Sequence, residues 1–172
     1  NDSEYQNAKV RAGVKNIEKL HSSDIMKSKV TSGALTDNND PLYEKRNRHA
    51  NSYYDSVRNS KKNNIINTIA SNTGMAESDI SKIYDHVFIN EYELYGGKRR
   101  FDPDYDMAES FRRLREGKEI QEHDLILLRH ERLEYELMNK EGMTYQEAHS
   151  IAETKYNYRK ALDEFKHKNS LL

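Results

Sequence analysis

Cysteine is absent from the 172 residues, so neither a disulfide framework nor a thiolate metal site is available, and any metal has to rest on histidine and carboxylate ligands. Long apolar runs are absent too. No stretch approaches the roughly 20 apolar residues that a membrane span requires, and the mean hydropathy of −1.08 is that of a very polar chain. Charge of one sign is missing as well, with 28 Lys and Arg against 29 Asp and Glu. Without an overall field, nucleic acid has to be held by a local basic patch. There is no G-x-x-x-x-G-K-S/T loop and no G-x-G-x-x-G turn, which leaves nucleotide-cofactor chemistry unsupported. The chain begins at Asn1, without an initiator Met or a signal sequence, so a piece of a longer protein is expected, with its address carried by other segments.

Neither β-α-β alternation nor an internal repeat is present. Helical periodicity recurs instead and predicts an all-α domain of about five to six helices, with at most one small β-hairpin. Residues 1–41 read as a linker with a helical extension: Tyr5, Ala8, Val10, Val14, Ile17 and Leu20 keep a weak helical spacing, and the segment running into Pro41 is small, polar and turn-forming. The compact domain is expected over 42–172. Ala50, Tyr53, Tyr54 and Val57 stand at i, i+3, i+4 and i+7 of a helix over 42–59. Helices over 63–71 and 77–90 flank Gly74, which suits the left-handed position after the first of them. Ala70, Gly74 and Ile80 also match the spacing of a helix-turn-helix, although a plain helical hairpin needs the same residue types. Gly96-Gly97 predicts a two-residue hairpin. Asp106 with Glu109 predicts a capping box for the next helix, with Gly117 at its end, and Thr144 with Glu147 predicts another, opening a last helix from Tyr145 to about Lys166.

The central run, LILLRHERLEYELMNK from Leu125 to Lys140, is the most apolar stretch of the chain and carries ionisable residues where leucines are expected. Ile126, Leu127, Leu133, Leu137 and Met138 fill one arc of the helix, and His130 and Glu134 fall inside it. Arg129, Arg132, Glu136, Asn139 and Lys140 fall outside and supply a solvent face. An imidazole and a carboxylate one turn apart in an apolar arc cost free energy unless they pair with each other, a metal or a substrate. His130, Glu131 and Glu134 form H-E-x-x-E, and a short antiparallel return through Glu141–Met143 brings His149 of the next helix toward His130. The set differs from H-E-x-x-H zinc proteases by having Glu134 in place of the second histidine. A divalent metal held by His130, Glu134 and His149 is one reading, metal-free acid–base chemistry a second, and a buried polar network that only fixes the core a third. His86, beside Asp85, lies off the stripe of Ile80, Ile83, Tyr84, Val87 and Phe88 and is expected at the surface or the rim. His123-Asp124 is expected to cap the central helix, with Asp124 favoured by the helix dipole. Arg99, Arg100, Arg112 and Arg113 offer phosphate contacts, or ion pairs with Asp102, Asp104 and Asp106.

The order of the segments NTGMAESDISKIYDHVFINEYEL, RRFDPDYDMAESFRRL, HDLILLRHERLEYELM and EAHSIAETKYNY resembles a helical domain found at the C-terminal ends of bacterial polymorphic toxins and of some phage minor head proteins of the Mu F type. The resemblance spans roughly residues 45–160 and rests on His86, Arg100, Phe101, Asp102, Arg113, His130, Glu131, Glu134 and His149. It implies a secreted effector delivered as the tip of a larger protein, acting in the cytoplasm of a target cell and neutralised by a cognate immunity protein. Toxin tips of this kind include nucleases, deaminases, ADP-ribosyltransferases and NAD hydrolases. The expectation is a nuclease acting on RNA ahead of DNA, with His130, Glu134, His149, His86 and Glu131 as candidate catalytic residues and Arg99, Arg100, Arg112 and Arg113 as candidate substrate contacts. A helix-turn-helix binding module and a structural phage-head segment, both without catalysis, are the alternatives.

Overall fold

A computed structural model describes residues 41–170. The weak helix and the linker expected before residue 41 lie outside the described residues. Seven α-helices, one π-helical turn and one two-stranded ribbon follow one another among these residues, so the expected all-α class holds. The elements are α1 (Tyr43–Asn59), α2 (Lys62–Thr73), α3 (Glu77–Tyr84), the π-turn (Asp85–Ile89), β1 (Tyr92–Leu94), β2 (Gly97–Arg99), α4 (Tyr105–Glu116), α5 (Glu122–Asn139), α6 (Tyr145–Lys155) and α7 (Tyr158–Lys168). They fall into two compact units, 41–121 and 122–170.

In the first unit α1 and α2 each pack against α4, and α2 packs against α3. Ala50, Tyr54 and Val57 are buried on α1 as their spacing predicts, and Ile65, Ile66 and Ile69 supply the face of α2. Aromatic edges lock this core: Phe88 meets Tyr54 and Phe111 edge-on, with centroids 5.0 and 5.1 Å apart, contacts worth about 0.5–1.5 kcal/mol each beyond area burial. Gly74 ends α2 in the left-handed region (φ 73°) as expected. Gly117 does the same for α4 (φ 71°), where Asn72 donates its side-chain amide to the carbonyls of Leu114 and Arg115 at 2.8 and 3.1 Å.

Two local expectations shift. The hairpin pairs Leu94 with Gly97, so its two-residue turn is Tyr95-Gly96, one residue earlier than the glycine pair suggests. Only Gly96 of these two has positive φ (91°), which suits a turn that needs glycine in its second position. The N-cap of α4 is Asp104, not Asp106: its buried carboxylate accepts from the Met107 amide at 2.9 Å. An Asp at 104 and at 106 each offers the same cap chemistry, and the helix starts at the earlier one.

In the second unit α5 packs against both α6 and α7. That double contact reduces the solvent face expected for α5. Arg129, Asn139 and Lys140 are exposed, whereas Arg132 and Glu136 are buried and bonded to each other at 2.9 Å, with Lys140 reaching Glu136 at 2.8 Å. Thr144 and Glu147 form the capping box predicted for α6. The expected last helix is two helices, broken at Tyr156, because Asn157 caps α7 by accepting from the Lys160 amide at 2.9 Å. Asp124 lies in the acidic first turn of α5, where the helix dipole favours it, and both His123 and Asp124 are buried. They are 2% and 0% exposed, lie 3.3 Å apart, and the His123 ring packs against Phe165.

Candidate functional site

The break after α6 matters chemically. A helix that continued would turn the Tyr156 carbonyl along the axis; instead it accepts from the Tyr158 amide and from His130 Nδ1, both at 3.0 Å. A carbonyl only accepts, so Nδ1 of His130 carries a proton. On the other side of the ring Nε2 lies 3.0 Å from Glu134 Oε2, one helical turn along α5. The same Oε2 lies 3.1 Å from His149 Nδ1 on α6. One carboxylate oxygen therefore stands between two imidazoles whose ring centroids are 5.0 Å apart.

Burial differs across the set. His130 and Glu134 are 3% and 2% exposed, whereas His149 and Glu153 form the rim, at 31% and 27%. Glu153 Oε2 lies 3.4 Å from His149 Nε2 and 3.7 Å from His130 Nδ1. Tyr145 places its hydroxyl 3.4 Å from His149 Nδ1. Burial by itself lowers the His130 pKa, but the hydrogen bond and charge of Glu134, with the charges of Glu131 and Glu153, overcome it and raise the imidazole to about 9. His130 is thus a buried imidazolium at neutral pH. Glu131, itself 5% exposed, acts on the site through that field.

The structure brings His130, Glu134 and His149 together, as the antiparallel return of α6 predicts. Glu153 was not among the sequence candidates, although a signal exists: His149 and Glu153 repeat on α6 the i, i+4 spacing of His130 and Glu134 on α5. For a metal, His130, His149 and Glu153 each offer one ligand atom, all within 4.8 Å of one another. That set differs from the expected His130, Glu134 and His149, because Glu134 Oε2 is engaged with the ring nitrogens behind this group.

His86, Arg99, Arg100, Arg112 and Arg113 belong to the 41–121 unit. His86 is fully buried, contrary to the surface or rim position expected. Its segment leaves α-helical register in the π-turn, where the Asn90 amide reaches back to the Asp85 carbonyl at 2.7 Å. The hairpin then lays Phe101 and Tyr92 against the ring, with centroids 5.0 and 5.3 Å away. Asn90 donates to the Tyr92 hydroxyl at 3.1 Å, and that hydroxyl is hydrogen-bonded to His86 Nδ1 at 2.8 Å. Arg99 pairs with Asp102, one of the expected partners. Arg112 pairs with Glu109 and Glu116 on its own helix, at 2.9 and 3.0 Å. Arg100 donates to the Ile89 carbonyl at 3.4 Å and Arg113 to Ser110 at 3.5 Å.

Among the described residues no helix is long and apolar enough to cross a membrane. No family model matches the chain, and no curated protein or solved structure matches it either.

Proposed function

We propose that the chain carries an antibacterial effector domain that hydrolyses nucleic acid, RNA ahead of DNA, with its chemistry in the His130–Glu134–His149–Glu153 cluster. The observation that carries this reading is the Glu134 oxygen held between two imidazoles. A buried carboxylate bonded to one nitrogen of a rim histidine fixes its tautomer and aims the other nitrogen toward the rim, where it can act on water or a hydroxyl directly or hold an ion that does so. His149 meets the substrate side, since its side chain is 31% exposed at the rim whereas that of His130 is 3% exposed. His130 then serves as the fixed positive charge that balances Glu134 as a carboxylate. Burial in this way gives His130 and His149, both candidate catalytic residues in the sequence, different roles.

For a cofactor, the donors suit a divalent cation. Delivery as the tip of a larger protein, action in the target-cell cytoplasm and a cognate immunity protein belong to the same proposal and are supported by the sequence resemblance. The binding-module alternative sets α3 against nucleic acid, but the first turn of that helix carries Glu77 and Asp79, which repel phosphate.

The test is cleavage of RNA and DNA by the purified chain, beside growth arrest on expression in a bacterial cytoplasm. His149→Ala and Glu134→Gln are expected to lower cleavage by about 10²–10⁴-fold while the helical circular dichroism persists. Folded variants that stay toxic would sink the assignment, and wild-type chain that leaves both nucleic acids intact would sink the substrate class.

A further inference from the structure

The four groups of the cluster are arranged with two faces. On the inner face His130 Nε2 and His149 Nδ1 both point at Glu134 Oε2, at 3.0 and 3.1 Å. On the other face stand the opposite ring nitrogens, the rim His149 Nε2 and the buried His130 Nδ1, with Glu153 Oε2 at 3.4 and 3.7 Å and the Tyr156 carbonyl 3.0 Å from His130 Nδ1. Histidines that bind metal through one nitrogen almost always give the other to a carboxylate or carbonyl, which fixes the ring and raises its basicity. Here one carboxylate does this for two rings at once.

We infer that His130 Nδ1, His149 Nε2 and Glu153 Oε2 form a binding site for one divalent ion of the zinc, nickel or cobalt class. The spacing suits it. Bonds of about 2.0–2.1 Å from such an ion make tetrahedral ligand-to-ligand edges of about 3.3–3.4 Å. The His149–Glu153 edge already has that length and the His130–Glu153 edge is a few tenths longer, and one ligand atom from each of the three residues lies within 4.8 Å of the others. Two imidazoles with one carboxylate select borderline transition ions, whereas magnesium and calcium want oxygen ligands. The half-exposed positions of His149 and Glu153 leave the fourth corner of the tetrahedron toward solvent, the arrangement of sites that activate water. Charge supports it as well: Glu131, Glu134 and Glu153 surround two imidazoles, and a phosphodiester approaching Glu153 is repelled unless a cation intervenes. Uptake of the ion sends the Nδ1 proton of His130 to solvent and releases the Tyr156 carbonyl from that nitrogen. The inference concerns the same cluster as the proposed hydrolysis and rests on that reading only for the use of the ion, since binding is read without any reaction.

Cobalt(II) added to the metal-free whole chain is expected to bind one equivalent with the visible bands of a tetrahedral ion, to be displaced by one equivalent of zinc, and to be unaffected by millimolar magnesium. His149→Ala and Glu153→Gln, at the rim and so tolerant for folding, should each weaken binding by at least about tenfold. Glu134→Gln should weaken it by about 10–100-fold although Glu134 touches no ion. His167→Ala, an exposed histidine elsewhere, should change nothing. Binding that survives the His149→Ala, Glu153→Gln double variant, or is lost in His167→Ala, overturns the site, as does the absence of a one-equivalent complex. One-equivalent binding without cleavage of RNA or DNA under any ion leaves the site standing and removes the hydrolase reading. Cleavage undiminished by a chelator, with no complex formed, does the reverse.

Discussion

The two units bury their largest helices in opposite ways. Around Phe88 the 41–121 unit is a core of rings and aliphatic chains, whose buried polar groups His86, Asp104 and Ser110 are few. Helix α5 of the other unit buries His123, Asp124, His130, Glu131, Arg132, Glu134 and Glu136 beside its leucines. Apolar burial stabilises in proportion to area, at about 25 cal/mol per Å². A buried ion pair does far less, because desolvating both charges offsets most of their attraction. Under the proposed function, the charges of α5 serve that site more than they hold the fold, and the comparison of the two units can be tested on that point.

Single truncations should be costly in both units, for different reasons. Phe88→Ala removes three ring contacts and opens a cavity, with an expected loss of about 3–5 kcal/mol. His130→Ala leaves the Glu134 carboxylate buried without its cation, with a similar loss of about 3–5 kcal/mol. The comparison sharpens with a second change. Replacing both members, His130→Leu with Glu134→Leu, should recover most of the stability of the single variant and abolish activity. Urea denaturation of the three proteins decides it: a double variant no more stable than His130→Ala would show that the pair is structural and erase the contrast between the units.

Next in size is a pH effect confined to α5. The folded pKa of His130 lies at about 9, above its ordinary value of 6.5. A group whose folded pKa is raised stabilises fully below the unfolded value, and that stability is lost as pH rises through the folded one. Denaturation midpoints should thus fall between about pH 6.5 and about pH 9 in wild type. The same decline should be missing from the double leucine variant, and its persistence there would assign the effect to another group.

What could be read in advance follows the reach of each signal. Caps and periods are local, so α1, the αL glycines at 74 and 117 and the Thr144 capping box were legible from a few adjacent letters. The pairing of His130 with Glu134 and His149 was legible too, because two helices joined by a short turn have few ways to return. His86 was misread because its burial comes from a π-turn and from rings fifteen residues or fewer downstream, neither of which a 3.6-residue period records. Glu153 was missed because it lies at the rim, on no apolar arc. Arg132 and Glu136 lie off the apolar arc yet are buried, because α5 contacts two helices and a single-sided helical period marks only one packed side.

A smaller loss is expected at Gly117. Its φ of 71° disfavours any side chain, and a Cβ there would stand 2.9 Å from the Asn72 amide group that closes the end of α4. Gly117→Ala should cost roughly 1 kcal/mol or more through the left-handed backbone alone, and Asp104→Ala about 1 kcal/mol through the lost cap. Thermal melting of each should show losses well short of that of Phe88→Ala; equal losses would mean that ends and turns, not the ring core, hold this unit.

The smallest effect on stability should come from Arg112, and there the measurement of interest is a different one. Its side chain is 38% exposed, and its guanidinium is bonded to Glu109 and Glu116 on its own helix. Surface pairs of this kind are worth about 0–1 kcal/mol, so Arg112→Ala should shift the melting temperature hardly at all. Its proposed contact with a substrate phosphate predicts something larger elsewhere. Each phosphate contact releases condensed counterions, so removing one arginine should lower the slope of log K against log salt by about one. Binding is best followed with the His149→Ala chain, expected to cut RNA far more slowly, with and without Arg112→Ala, at several salt concentrations. An unchanged slope would return Arg112 to the role its ion pairs already explain, and would leave Arg99, Arg100 and Arg113 as the candidates for holding the phosphate.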